Sequence, residues 1–429
     1  MQRFSLKILA IFNLVVICLT FNPYSAQSSS DSIEDVGDWL QYLLPAAGFL
    51  GTFPADDPEG RIQWAKTMGS SVAITTVLKG MYGKMRPGND SLTSFPSGHT
   101  TAAFAGAGFI DTRYGRAWGS LAYAGAVFTG YSRIYADRHF ADDVLAGASI
   151  GLFNTWYWVT PHQSPVTVMP MAVENGMGVM VNLTDPDYTV EEKDKTNRGA
   201  EKLSYTVDFT SAFLLKNQIS SPGSNGTVFD LDDFNKKNDP VATARAILNW
   251  SISEQYNLSL LFWPLEYRDS GRFNTDLSFN GTVFPADTDL ESAYRNYRAD
   301  LMFSQKLLLK APWTLTAGLG ISGQWTHVEL SSNSGNLHTE VEETLILPMA
   351  GLNCSYNITS NWQISADATG IFFDSDHYLE GGLATRYDFN KRWDIRLGAK
   401  YFARKIESSE LKEESEHAAF HFSVSHRFY

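Results

Sequence analysis

The chain has 429 residues, of which 44% are hydrophobic, 13% aromatic and 19% charged, the composition of a folded protein and not of a disordered one. That length suits two domains better than one. A formal net charge of −13 argues against nucleic acid as a partner, which would call for a basic face.

At the N-terminus, Arg3 and Lys7 precede the apolar run Ile8 to Leu19, and Tyr24-Ser25-Ala26 or Ala26-Gln27-Ser28 offers a small-residue cleavage site. A charged start, a short apolar core and small residues describe a secretory signal peptide over residues 1–26. The run falls short of the roughly 20 residues that a membrane-spanning helix needs. Only Cys18 and Cys354 are present, and the first lies in this leader, so no disulfide framework is available.

Residues 31–162 read as a helical domain. Trp39–Phe53, Ile62–Lys84, Ser97–Ile110, Ala117–Tyr131 and Asp142–Val159 are the candidate helices, rich in Gly and Ala as closely packed helices are. Each apolar run is too short for a span or carries charges such as Lys66 and Lys79, so a packed bundle is expected. Residues 163–202 follow as a short hairpin, Val166–Ala172 with Met177–Leu183, and a charged linker from Asp185 to Lys202.

Over residues 203–429 the period changes to two. Leu315, Ala317, Leu319, Ile321 and Trp325 alternate with Thr314, Thr316, Gly318, Gly320, Ser322 and Gln324. Trp362–Thr369 and Trp393–Arg404 repeat the pattern. Alternation with aromatics at the ends matches strands of an antiparallel transmembrane β-barrel of the outer-membrane kind, with about ten strands counted. Short turns at Ser253–Tyr256, Asn357–Asn361 and Asn390–Arg392 interleave with long polar loops at Asn217–Asp239, Gly271–Glu291, Glu329–Leu337 and Ile406–Glu416. With short turns inside and long loops outside, both barrel ends and the helical domain fall in the periplasm. A soluble β-sandwich would also alternate, though without so polar an inner face. The last strand, Phe420 to Tyr429, resembles the terminal strand that the barrel assembly machinery recognises, except that Tyr429 follows the apolar series counted back from Phe428.

Three clusters in the helical half carry chemistry. In Lys79–Pro87, Lys79 and Arg86 are seven apart, so both could project from one helix face before Pro87 and Gly88 end it. Two such cations suit an anion, and equally a solvated basic face. In Ser94–Gly108, Ser97 can cap a helix whose free N–H groups and positive end make a phosphate site. Gly98 allows close approach to the backbone, and His99 in the first turn can give a proton to a leaving oxygen. In Ser132–Asp143, Arg133 follows a helix and His139 lies four residues before Asp143, a spacing that brings imidazole and carboxylate together on one face. A carboxylate fixing one ring nitrogen leaves the other as a nucleophile; a structural His–Asp pair is the alternative.

Taken together, these clusters resemble the signature of the type 2 phosphatidic acid phosphatase superfamily, which includes bacterial acid phosphatases and vanadium haloperoxidases. Lys79, Arg86 and Pro87, then Pro96, Ser97, Gly98 and His99, then Ser132, Arg133, His139 and Asp143 stand at the family spacing, and the resemblance covers about Trp39 to Val159. It implies that Lys79, Arg86 and Arg133 hold the phosphoryl oxygens with Ser97 and Gly98 assisting. It further implies that His139, oriented by Asp143, attacks phosphorus, and that His99 protonates the leaving group. No metal and no cofactor is implied, and no His, Cys and carboxylate cluster suggests one.

The expected protein is therefore a two-domain α plus β chain, a phosphoric monoester hydrolase of the periplasm held by its barrel in the outer-membrane lipids. A lipid phosphate monoester or pyrophosphate is the expected substrate. The alternatives are a phosphatase of soluble esters, a vanadium haloperoxidase using the same pocket for vanadate, or a barrel pore with an accessory helical domain.

Overall fold

The computed structural model describes residues 30–88, 91–162, 166–173, 176–183, 202–222, 226–233, 240–373 and 376–428. The expected signal peptide and all but the last residue of the expected linker lie outside these. Contacts divide the chain into two compact units, Met1–Arg198 and Gly199–Tyr429.

Among its described residues the first unit contains five helices: α1 (Ser30–Gly51), α2 (Pro58–Tyr82), α3 (Gly98–Tyr114), α4 (Arg116–Tyr135) and α5 (Ala141–Trp158). A hairpin of β1 (Val166–Val173) and β2 (Gly176–Leu183) follows. Helices α3 and α5 form its centre, where Phe104, Phe109, Val144, Leu145 and Leu152 are buried. Their backbones nearly touch. A Cβ on Gly147 would lie 2.4 Å from the Ser97 carbonyl oxygen, and one on Gly151 would lie 2.7 Å from the Ala105 nitrogen. The glycines thus set how closely the two helix starts approach, and those starts carry the candidate chemistry.

Two boundaries correct the expectations. Helix α2 ends at Tyr82, not near Pro87, because Gly83 takes a left-handed φ of 56° and its N–H returns to the Lys79 carbonyl. Arg86 therefore lies beyond the helix, in a loop where its own N–H donates to Ser91 O (2.9 Å). Helix α1 begins at Ser30, well before Trp39, since the polar residues of its first turns are good helix starters despite lacking an apolar period.

The second unit is a closed antiparallel barrel of ten strands, each paired with its chain neighbour. They are β3 (Lys202–Ser220), β4 (Val241–Ser251), β5 (Tyr256–Arg272), β6 (Asp289–Lys310), β7 (Trp313–Ser332), β8 (His338–Asn357), β9 (Trp362–Phe373), β10 (Asp376–Asp388), β11 (Trp393–Glu407) and β12 (Lys412–Phe428). Pairing of β12 with β3, from Phe428↔Leu203 to Lys412↔Ser220, closes it.

The faces are inverted relative to a soluble barrel. Leu319, Ile321, Leu352, Leu383, Leu397 and Phe420 point outward and are exposed, while the inner face buries charge. Arg245 lies opposite Asp208 in the register and bonds it (2.8 Å) and Glu380 (2.8 Å), which also accepts from Lys400 (3.0 Å) and Tyr378 (3.0 Å). Charges buried inside and paired, with apolar side chains outside, suit hydrocarbon around the barrel and not water. Trp313, Trp362 and Phe389 stand exposed at the short-turn end, as an aromatic belt would.

Two of the four expected long loops are not loops. Strands β7 and β8 run to Ser332 and from His338, and β11 and β12 run to Glu407 and from Lys412. Their polar residues are inward-facing strand positions: Glu413 is buried and accepts from Tyr294 (2.8 Å), and Ser415 is buried beside it (3.0 Å). The remaining two long connections are less polar than they read. Phe229, Leu231, Leu277, Phe279 and Phe284 come from them and join Trp263, Val328 and Leu330 in an apolar cluster.

The outer face gives the first test. Leu319 is 73% exposed on β7. Leu319→Arg should cost about 2–4 kcal/mol in a lipid-embedded barrel, measured by urea unfolding in vesicles, whereas on a water-facing surface it would be neutral.

Candidate active site

Ser97 caps α3 as expected, its hydroxyl oxygen accepting from Thr100 N (3.5 Å) and lying 2.9 Å from Thr100 Oγ1. Its own N–H donates to Asp143 O (2.9 Å), which locks the head of α3 onto the first turn of α5. Gly98 meets little: a Cβ there would come only to 3.9 Å from Lys79 Cε and 4.0 Å from Thr75 Cγ2. Packing does not demand glycine at this position; its missing side chain leaves space in front of Lys79.

His139 is brought in by a turn, not by a helical face. After α4, Asp137 takes a left-handed φ of 51°, and the N–H groups of Arg138 and His139 both return to Arg133 O (3.0 and 3.2 Å). His139 thus precedes α5 and sits against Arg133. Its Nδ1 faces Asp143 Oδ2 at 3.7 Å, an ion-pair distance longer than a hydrogen bond. Asp143 Oδ2 is instead taken by Ser94 Oγ (2.5 Å) and Phe140 N (2.9 Å). The expectation that His139 and Asp143 share one helix face is corrected accordingly, although the two do meet.

Sequence reasoning missed three residues. Lys84 is buried and donates to both oxygens of Asp142 (2.8 Å each) and to Asp143 Oδ1 (3.0 Å), while its ammonium lies 4.5 Å from the Phe140 ring centre. Glu34 and Asp38, in the early turns of α1, reach the site from the other side. Asp38 Oδ1 accepts from Arg133 Nη1 (2.6 Å) and lies 3.0 Å from His99 Nε2; Glu34 pairs with Arg138 (2.7 Å). A doubled acidic pair and a lysine two places before Arg86 were visible, but only the fold reveals their long-range partners.

The site is crowded with positive charge, and its bases respond. Burial, then Arg133, His139 and Arg86, lower His99 to about 4 against the pull of Asp38. Burial also lowers His139, with Lys79 and Arg86 adding to it and Asp143 opposing. Lys79 is brought down to about 8 by burial and by Arg86, and its ammonium donates to Thr93 O. Burial would raise the Asp143 carboxyl, but Lys84, His139 and Ser94 outweigh it and hold the group well below the usual range. Both histidines are therefore neutral at pH 7 in the empty site, beside an ionised carboxylate. Arg86 Nε is buried with no hydrogen-bond partner among the described residues.

His99 feels the charges of Arg133, His139 and Arg86, and His139 those of Lys79 and Arg86, so these five side chains share one neighbourhood, with Ser97 fully buried at the head of α3. Val36, Trp39, Met81, Met85 and Leu92, neighbours in sequence of the site residues, are exposed. Among the described residues, no group of three or more His, Cys, Asp or Glu is placed to hold a metal ion.

Both halves of the chain resemble known proteins. Residues 63–164 match the family model described as the PAP2 superfamily. That stretch of the helical unit is a PAP2 superfamily domain. Over 109 residues the chain is 38% identical to lipid A 1-phosphatase of Porphyromonas gingivalis, an alignment covering 23% of this chain and 24% of that protein. The chain thus spans about a quarter of that curated relative's length. Among solved structures it is similar to Aquifex aeolicus LpxE, with 24% identity and a TM-score of 0.26 over 35% of this chain and 93% of that one. It is also similar to the outer membrane protease OmpT of Escherichia coli, with 11% identity and a TM-score of 0.38 over 55% of this chain and 99% of that one.

The PAP2 domain depends on Lys84 in a way that can be measured. Lys84→Met leaves two buried aspartates without their cation and should cost about 3–5 kcal/mol. Denaturant titration of the full chain, followed by its helical circular dichroism, would register that loss; an unchanged midpoint would contradict the buried triad.

Proposed function

We propose that this protein is a phosphatase that releases phosphate from a lipid phosphate monoester or pyrophosphate, through a phosphohistidine formed on His139. The carrying observation is the convergence of two neutral histidines and three cations at the head of α3. In this reading Lys79, Arg86 and Arg133 bind the phosphoryl oxygens, with the Ser97–Gly98 turn completing the cradle. His139 Nε2 attacks phosphorus, forming the P–N bond as the P–O bond to the leaving alcohol breaks, while Asp143 stabilises the imidazolium that results. His99 gives its proton to the leaving oxygen, then takes one from the water that breaks the P–N bond. The anion itself raises His99 from its empty-site value, so the acid forms where it is needed. The cations supply the charge stabilisation, and the mechanism is metal-independent.

The lipid part rests on the exposed apolar side chains that neighbour the site residues in sequence, which suit acyl chains better than water. The name of the Porphyromonas gingivalis relative adds lipid A phosphates to candidates that include phosphatidylglycerol phosphate and polyprenyl pyrophosphate. Export by a signal peptide and an outer-membrane barrel whose first and last strands both end on the short-turn side support a periplasmic site.

Phosphate release in the presence of a chelator, from these lipids and a soluble ester in parallel, tests the proposal. Release from at least one lipid should fall by about a thousandfold or more in His139→Ala. Equal turnover of the soluble ester would remove the lipid part, and release unaffected in His139→Ala would remove the mechanism.

The lowered Lys79 sets the pH dependence. Its ammonium loses its proton as pH rises through about 8, so positive charge disappears from the free site above that pH. The value of kcat/KM should therefore show an alkaline limb near 8, because this parameter reports the free enzyme. Lys79→Arg, which keeps its charge, should move that limb upward by more than one unit; a limb that stays in place assigns it to another group.

A further inference from the structure

We propose that Asp38 is an internal anion seated in the phosphoryl pocket, which an incoming phosphoryl group displaces, so that α1 sets how strongly and how selectively the site binds anions. The inference rests on the function proposed above only for where the phosphoryl group goes.

The first observation is that each nitrogen of Arg133 already meets an acceptor. Its Nε donates to Ser132 Oγ (3.1 Å), Nη1 to Asp38 Oδ1 (2.6 Å) and Nη2 to Glu34 O (2.8 Å). Nη1 and Nη2 each keep a second N–H, but for an anion to sit between Arg133 and His99 the acceptor already lying there has to move. Ser132 is fully buried and Glu34 O is helix backbone, whereas the Asp38 side chain is 43% exposed beside an Arg133 side chain that is 2% exposed. Asp38 is the acceptor free to swing away.

The second observation is that the same oxygen engages His99. Asp38 Oδ1 lies 3.0 Å from His99 Nε2, an ion-pair distance. One carboxylate oxygen thus unites the cation and the acid that a phosphoryl group would also unite. It stands where a phosphoryl oxygen would stand. Glu34, one turn earlier on α1, approaches Arg133 Nη1 to 3.9 Å and supports the same negative position.

Neither acidic residue lies within residues 63–164, the span of the family match. The device belongs to the segment that this chain places ahead of that span. Its consequence follows from valence. A tethered monocarboxylate competes with every anion for Arg133 and His99. A tetrahedral dianion offers further oxygens to Lys79 and Arg86 and overcomes that competition, whereas acetate does not. The site then rejects carboxylates and sheds free phosphate more readily than its cation count suggests.

Calorimetric titration of the detergent-solubilised full chain with inorganic phosphate, and separately with acetate, tests this without turnover. Asp38→Asn and Asp38→Ala, two variants at an exposed helix position, should each bind phosphate about tenfold or more tightly than the wild type. Acetate binding should become measurable in both. Glu34→Gln should strengthen phosphate binding less. Unchanged or weaker phosphate binding in both folded Asp38 variants overturns the proposal and makes Asp38 a positioning residue for His99, as would a fall in kcat with the phosphate affinity unmoved. A wild type that binds phosphate yet hydrolyses no ester would sink the proposed function while leaving this measurement decisive.

Discussion

The buried carboxylate of Asp143 is the point on which the helical unit turns. Its side chain accepts from Lys84, Ser94 and the Phe140 N–H and faces His139, and its backbone oxygen accepts from Ser97. Those partners come from all three chemistry-bearing segments of the sequence. A carboxylate without solvent is costly unless each lone pair is met. Satisfying it therefore requires the loop after α2, the head of α3 and the turn before α5 to arrive together. The requirement that keeps the charge stable is also what assembles the site.

The same economy explains the electrostatics. Burial first, and then the neighbouring cations, makes each further proton unwelcome, so His99 and His139 are held neutral. A neutral His139 keeps a lone pair for attack. The crowding is tolerable because negative charge is close by: Asp143 and Asp142 behind, with Lys84 between them, and Asp38 and Glu34 in front. The negative charge behind is permanent and buried. That in front is exposed, which makes it exchangeable.

How much of this could be read in advance follows from the range of each contact. The Ser97 cap and the approach of His139 to Asp143 are legible because each joins residues only three or four apart. Lys84 and Asp38 are not, since their partners lie 58 and 95 residues away and no local pattern announces them. Arg86 was assigned to a helix because its spacing from Lys79 fits two turns, whereas one left-handed glycine, Gly83, decides otherwise. In the barrel, alternation identified the strands of residues 313–332 and 393–407 because inside and outside differ in polarity. It failed near Glu413, where a polar run seemed to demand a loop, although a strand whose inner face meets Arg404 and Tyr294 wants acid there.

Both units bury their ionic groups and differ in what they leave outside. No described helix is long and apolar enough to cross a membrane. The helical unit encloses Asp143, Lys84 and Arg133 and gives each an opposite charge, since a charge without solvent is costly until it is met. The barrel encloses Arg245 between Asp208 and Glu380 for the same reason and leaves Leu319 and Leu383 outside, where hydrocarbon suits them. In each unit, therefore, removing one partner costs more than the pair itself contributes, because the charge left behind stays buried.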